Sequence, residues 1–131
     1  MLKEKVLVVE DNPQNMRLIE LLLRDKDYTL LKAGDGKEAL AMITREHPDL
    51  IVMDIQLPEM SGLEVTRRLR RMPAFSRTPI IALTAYAMKG DRERFLKAGC
   101  SAYLDKPTGT RELPAVIEQL LRKNHVQKKV I

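Results

Sequence analysis

Three short runs in the chain are aliphatic without interruption: Val6-Leu7-Val8-Val9, Leu50-Ile51-Val52-Met53 and, after Pro79, Ile80-Ile81-Ala82-Leu83. A strand with one wet face alternates apolar and polar residues. An unbroken run of four or more therefore marks a strand covered on both faces, as in a parallel sheet lying between helices. The stretches between the runs have helical spacing. Asn12 is placed to cap a helix whose first position is Pro13, where a missing N–H costs nothing, and Met16, Ile19, Leu22 and Leu23 form its inner side as far as about Arg24. Asp35-Gly36-Lys37-Glu38 and Ser61-Gly62-Leu63-Glu64 both have capping-box spacing. They open a second helix with Ala39, Leu40 and Ile43 inward, and a third through about Arg71 with Val65, Leu69 and Met72 inward.

Tyr28 to Ala33 and Ser101 to Asp105 read as shorter, weaker strands suited to sheet edges. A fourth helix is predicted over Ala87 to Ala98; it contains Gly90, costing about 1 kcal/mol against Ala in a helix interior. With only Met88, Phe95 and Leu96 as large apolar residues, it should be the most loosely held. The last helix carries a full stripe of Leu113, Val116, Ile117, Leu120 and Leu121. Five strand and helix pairs alternate with no repeat or linker. This predicts an α/β, doubly wound (βα)5 domain, a flavodoxin-like three-layer sandwich whose five parallel strands run in the order 2-1-3-4-5. The domain is expected over residues 1–123, with 124–131 as a basic C-terminal tail.

The 131 residues suffice for one compact core. No apolar run approaches the roughly 20 residues that span a bilayer, and no apolar leader follows Met1, so a cytoplasmic protein without membrane contact is expected. Cys100 is the single cysteine, which excludes an internal disulfide, and with only His47 and His125 beside it a thiolate–imidazole metal site is disfavoured. A buried free thiol is expected. The net charge of +5 raises the question of nucleic acid. Arg122, Lys123, Lys128 and Lys129 supply +4 of it at the C-terminus, with no aromatic residue interleaved, so nucleic-acid binding is disfavoured.

In a doubly wound sheet, ligands bind beyond the carboxyl ends of the strands, where strand order reverses. The uncommon polar residues of this chain fall at those ends: Glu10-Asp11 after the first strand, Asp54 after the third, Thr84 after the fourth and Asp105-Lys106-Pro107 after the fifth. Each has an ordinary explanation when taken singly, as an acidic helix start, a turn-former, a strand terminus or a surface lysine. Together they point to chemistry. Three carboxylates need a cation, because unpaired like charges raise one another's pKa and strain the fold. Oxygen ligands without imidazole or thiolate fit Mg2+. With Mg2+ and Lys106 the three carboxylates are neutralised, leaving a site suited to a phosphoryl group. Asp54 would be the nucleophile, Lys106 would offset charge on the equatorial oxygens, and Thr84 would donate its hydroxyl to one of them.

On these residues the chain resembles the receiver domain of bacterial two-component response regulators. The likeness rests on Glu10-Asp11, on Met53-Asp54 with Leu57-Pro58 and Gly62, on Thr84-Ala85, and on Lys106-Pro107, and it covers about residues 4–123. The stand-alone receivers of the DivK kind are similar at Met53-Asp54-Ile55-Gln56-Leu57-Pro58-Glu59 and at Ala87-Met88-Lys89-Gly90-Asp91. The resemblance implies that Asp54 accepts a phosphoryl group from a sensor histidine kinase or a histidine phosphotransfer protein. It implies Mg2+, with Mn2+ as the alternative, held by Glu10, Asp11, Asp54 and the backbone carbonyl of Gln56. Thr84 and Tyr103 would move together as the switch, changing the surface of the fourth helix, fifth strand and fifth helix for a downstream protein. Gln56 and Tyr86 would tune self-dephosphorylation, and Lys106-Pro107 would be a cis peptide at Pro107. Read without the family, Tyr103 is an edge-strand aromatic with its hydroxyl in water.

The expected protein is thus a phosphoacceptor switch, not an enzyme in the ordinary sense, and a monomer or weak dimer. Thr108-Gly109, where an apolar residue is commoner after the lysine and proline, and the basic tail are departures from the family's pattern; they bear on the partner surface. The alternatives are a phosphorylation-independent interaction module on the same fold, or the receiver fragment of a hybrid kinase. A flavodoxin-like cofactor binder shares the topology, but Glu10-Asp11-Asn12 would repel a phosphate where such a protein has a phosphate-cradling loop.

Overall fold

The computed structural model describes residues 3–85, 89–106 and 111–130, with the side chains of 124–130 excepted. The strands are β1 (Glu4–Val9), β2 (Tyr28–Ala33), β3 (Leu50–Asp54), β4 (Ile80–Thr84) and β5 (Ala102–Asp105). The helices are α1 (Pro13–Leu23), α2 (Gly36–Glu46), α3 (Gly62–Arg70), α4 (Asp91–Ala98) and α5 (Leu113–Val130), and a single 3-10 turn (Pro73–Phe75) follows α3. All strand pairs are parallel, in the predicted order β2-β1-β3-β4-β5. The three unbroken aliphatic runs are the three inner strands, and every residue from Val6 to Val9, Leu50 to Asp54 and Ile80 to Thr84 is buried.

Alternate residues of these strands feed two separate cores. Leu7, Val9, Ile51, Met53, Ile80 and Ala82 pack under α2, α3 and α4 with Ile43, Val65, Leu69 and Phe95. Val6, Val8, Leu50, Val52, Ile81 and Leu83 pack under α1 and α5 with Ile19, Leu23, Leu113 and Ile117. Each fully buried aliphatic side chain contributes about 1.5–3 kcal/mol relative to exposure, so the inner strands are the most firmly held part of the molecule.

The predicted caps form. Asn12 Oδ1 accepts from the N–H of Gln14 at 2.9 Å and of Asn15 at 3.0 Å, Asp35 Oδ1 from Glu38 at 2.8 Å, and Ser61 Oγ from Glu64 at 3.2 Å. The return half of the first capping box is displaced by one residue: Glu38 Oε2 accepts from the N–H of Gly34.

The fourth helix departs from expectation. It begins at Asp91, and Gly90 is its N-cap at φ 88°, a left-handed conformation favoured by glycine, so Gly90 is a boundary and not an interior defect. Tyr86 to Met88 lie outside the described residues, so the predicted start at Ala87 falls there. Phe95 is buried, but Leu96 is 38% exposed and stays outside the core. Leu22 is likewise only half-buried. At the other end α5 continues to Val130, through the stretch read as a tail. Among the described residues no helix is long and apolar enough to cross a membrane.

Candidate functional site

The parallel ladder brings the strand ends level. Asp54, the last residue of β3, pairs in register with Leu83, and Thr84, the last of β4, pairs with Asp105, the last of β5. Backbone bonds carry the ladder beyond the strands: Glu10 N–H donates to the Ala33 carbonyl at 3.0 Å, Ile55 N–H to Leu83 at 3.0 Å, and Lys106 N–H to Thr84 at 2.7 Å. Glu10, Asp54 and Lys106, distant in the chain, thereby meet at one rim.

Lys106 is the hub. Its Nζ lies 2.5 Å from Glu10 Oε1 and 3.4 Å from Asp54 Oδ2. Glu10 is only 3% exposed and Asp54 5%. One ammonium thus serves two buried carboxylates, and the pocket is short of positive charge. Burial, reinforced by the neighbouring Asp54 and opposed by Lys106, pushes the Glu10 carboxyl up to about 7. Glu10 Oε2 accepts from the N–H of Asn12 at 3.2 Å, so the helix start also fixes this side chain.

Both oxygens of Asp54 are placed: Oδ1 accepts from the N–H of Gln56 at 3.0 Å, and Oδ2 faces Lys106. The turn that supplies Gln56 depends on Gly62. A Cβ there would lie 2.4 Å from the Asp54 carbonyl oxygen and 2.8 Å from Met53 Cγ, while Gly62 N–H closes the turn on the Ile55 carbonyl at 3.0 Å. Within the turn Glu59 sits at φ 64°.

Asp11 is exposed, yet one oxygen from each of Glu10, Asp11 and Asp54 falls within a mutual distance of 4.8 Å. Oxygens ligating one Mg2+ at about 2.1 Å stand up to about 4.2 Å apart, so the set fits the ion after a slight closing or through one water. Carboxylates alone, without imidazole or thiolate, also suit a hard cation. Thr84 is buried at the end of β4, the strand next to that of Asp54.

Tyr103 stands apart from the carboxylates, on β5. Its ring stacks on Phe95 with centroids 5.4 Å apart, and the residue is 8% exposed. Its hydroxyl is buried with no hydrogen-bond partner among the described residues, and burial, with Asp105 and Asp91 nearby, pushes its pKa up. The reading that left its hydroxyl in water is therefore corrected: the ring bridges β5 and α4 inside the core. Tyr86 and Pro107, and with Pro107 the predicted cis peptide, lie outside the described residues.

The sequence reading missed Arg70. Its guanidinium donates to the Gly99 carbonyl from Nε at 2.9 Å and Nη2 at 2.7 Å, and to the Phe75 carbonyl from Nη1 at 2.8 Å. Nothing local separates Arg70 from Arg67, Arg68 and Arg71, so no sequence signal marks it. Two clefts lie away from this rim: one of about 440 Å3 between His47 and Thr78, and a groove of about 360 Å3 between α1 and β2. Neither is lined by the carboxylates.

Comparison with known proteins agrees with this geometry. Residues 6–118 match the response regulator receiver domain family. The polar-differentiation response regulator DivK of Brucella ovis is 46% identical over 117 residues, 89% of this chain and 93% of that protein. The receiver domain of a sensor histidine kinase from Pseudomonas aeruginosa PAO1, crystallised with a magnesium ion coordinated in its active-site cleft, superposes with a TM-score of 0.82. It is 40% identical, with 92% of this chain and 98% of that chain covered. The receiver domain of a LuxO repressor protein from Vibrio parahaemolyticus superposes with a TM-score of 0.91 at 26% identity, covering 98% of both chains. With five parallel strands in the order 2-1-3-4-5, a buried aspartate at the end of β3 and a lysine bridging it to the acid after β1, the chain belongs to the response regulator receiver domains of two-component systems, and within them it is DivK-like.

Proposed function

We propose that Asp54 is the phosphoacceptor of a Mg2+-dependent switch. The donor is the phosphohistidine of a sensor histidine kinase or histidine phosphotransfer protein, and the output is a changed α4–β5–α5 surface read by a downstream protein. The observation that carries this reading is Lys106 placed between Glu10 and Asp54, both carboxylates being buried. A buried aspartate bound to one lysine only for stability would not need a second acid at the same ammonium, and the resulting shortage of positive charge is what a divalent cation relieves.

In the transfer, the Asp54 carboxylate attacks phosphorus in line with the leaving imidazole nitrogen. The P–N bond breaks, the nitrogen leaves with the bonding pair and is protonated, and an acyl phosphate remains on Asp54. Glu10, Asp11, Asp54 and the Gln56 carbonyl would hold Mg2+, or Mn2+ with the same ligand preferences, and the ion would offset negative charge on the phosphoryl oxygens. Lys106 exchanges its contact with Asp54 Oδ2 for a phosphoryl oxygen, and Thr84 donates its hydroxyl to another. The Gln56 N–H, already on Asp54 Oδ1, holds the carboxylate plane during attack. The Tyr103 ring, stacked on Phe95 of α4, then follows the movement of Thr84. The Gln56 side chain and Tyr86 set how readily water reaches the acyl phosphate.

The test is intact-protein mass after incubation with Mg2+ and a small phosphodonor such as acetyl phosphate. One phosphoryl group is gained by the wild type and none by Asp54→Asn or in excess EDTA. An unchanged wild-type mass with an active donor contradicts the proposal.

A further inference from the structure

From Val65 to Gly90 the chain contains no aspartate or glutamate, while Arg67, Arg68, Arg70, Arg71, Arg77 and Lys89 all fall within that stretch. The fold brings much of it to the end of the sheet opposite Asp54. There α3 stops at Arg70, the 3-10 turn follows, and β4 sets out from Ile80 toward Thr84 at the rim. Gly99, the C-cap of α4, reaches the same edge, where Ser101 N–H donates to the Ile80 carbonyl at 2.7 Å.

Arg70 ties these pieces together. Its guanidinium donates twice to the Gly99 carbonyl and once to the Phe75 carbonyl, so the ends of α3 and α4 and the 3-10 turn form one ledge. A Cβ at position 99 would lie 2.6 Å from Arg70 Cγ, so glycine there admits the arginine. All three bonds go to neutral carbonyls. Among the described residues no carboxylate pairs with Arg70, so this half-buried group leaves its positive charge uncompensated in the ledge. Around it Arg67, Arg71, Arg77 and Lys97 are exposed, and none of the four has an ion-pair partner among the described residues. On other faces Lys3, Lys32 and Arg122 each lie within 3.3 Å of a carboxylate.

Basic side chains at helix C-terminal ends offset the helix dipole, which accounts for Arg71 and Lys97. It accounts neither for Arg77, which follows the 3-10 turn, nor for the lack of acid throughout the stretch. Arg77 also lines the cleft of about 440 Å3, together with His47, Ser76 and Thr78.

We propose that this ledge docks an acidic segment of a partner protein, with carboxylates lying along Arg67, Arg71 and Lys97 and one entering the cleft at Arg77. Arg67 and Arg71 stand one turn apart on the same side of α3, and guanidinium groups take carboxylates through paired N–H donors. A bilayer fits less well, because Leu96 is the one large apolar side chain exposed near the ledge among the described residues. Nucleic acid fits less well too, because no described phenylalanine or tyrosine is exposed to stack on a base. The ledge lies at the far ends of the strands from Asp54, so docking is independent of the phosphoryl group and the attachment persists while the rim is charged and discharged.

Amide chemical shifts of the isotope-labelled full chain, titrated at low salt with a peptide of about ten glutamates and aspartates, test this. The peptide is expected to shift Arg67, Arg71, Arg77 and Lys97 saturably, and Asp54→Asn is expected to bind it as the wild type does. Arg71→Glu combined with Arg77→Glu should weaken binding at least about tenfold, whereas Arg24→Glu with Lys26→Glu, the same charge change at the end of α1, should stay within about twofold. Arg71→Ala with Arg77→Ala stands in if the reversed pair does not fold. Equal losses from the two reversed pairs would reduce the effect to net charge and overturn the ledge, as would shifts centred on Arg122 and Lys123. Tighter binding there of phosphatidylglycerol vesicles or of a short DNA duplex than of the peptide would overturn the choice of partner. Loss of binding in Asp54→Asn would overturn its independence of the rim.

Discussion

The rim around Asp54 and the α4 limb belong to the same sheet, yet they are built on opposite principles. At the rim, Glu10 and Asp54 leave strands whose last four residues are wholly buried, and each carboxylate is fixed by a backbone N–H and by Lys106. In α4 the buried side chains are Phe95 and, in its first turn, Asp91, Gly90 supplies no side-chain cap, and Arg70 holds the Gly99 carbonyl. Phosphoryl transfer needs groups held to a fraction of an ångström, whereas a partner-facing surface that must change needs a low cost of movement. The difference separates a firmly held rim from a more lightly packed helix about the same strands.

The largest expected effect is at the rim. Lys106→Ala leaves two buried carboxylates facing each other, so metal-free chemical denaturation should show a loss of about 3–5 kcal/mol, partly regained with Mg2+. A variant as stable as the wild type in EDTA would mean that the rim is not held by charge. Gly62→Ala comes next. Its Cβ would drive into the Asp54 carbonyl, and the expected loss is about 1–3 kcal/mol together with a slower phosphoryl gain, because the turn carrying Gln56 must shift.

The pH dependence sharpens the same side of the comparison. The Glu10 carboxyl titrates near 7 in the fold against 4.5 for the free group, so the folded state binds this proton more tightly than the unfolded chain. The contribution is full below about pH 4.5 and is lost as pH rises through 7. In EDTA the Tm should fall across that window more steeply for the wild type than for Glu10→Gln, and parallel curves would contradict the cause given.

At the limb the effects should be smaller. Gly90→Ala places a side chain at φ 88° in open space, so the expected loss is only about 1 kcal/mol, from backbone strain alone. Leu96→Ala, at an exposed position, should stay within about 0.5 kcal/mol. A loss at Leu96 as large as that of Gly62→Ala would erase the contrast between firm rim and loose limb.

The strands and the rim were legible in the sequence because their signals are local. Unbroken aliphatic runs mark inner strands, and a doubly wound sheet places whatever ends those strands along one edge. What stayed hidden depends on residues far apart. The fork of Arg70 reaches Gly99, 29 residues on, and the neighbours Arg67, Arg68 and Arg71 look the same in sequence. Gly90 was read as a helix defect because composition cannot distinguish an interior glycine from a left-handed cap. Positions 62–99 hold nine basic residues against three acidic ones, and of these Arg67, Arg68, Arg71, Arg92, Arg94 and Lys97 are exposed.

The most direct test of the central claim is to locate the phosphoryl group. Acyl phosphates are reduced by borohydride to the alcohol, so protein phosphorylated with Mg2+ and acetyl phosphate, then reduced and digested, should yield homoserine in place of Asp54 and at no other acid. Homoserine at Asp11, or an unmodified peptide spanning Asp54 from protein that has gained the phosphoryl mass, would contradict the account.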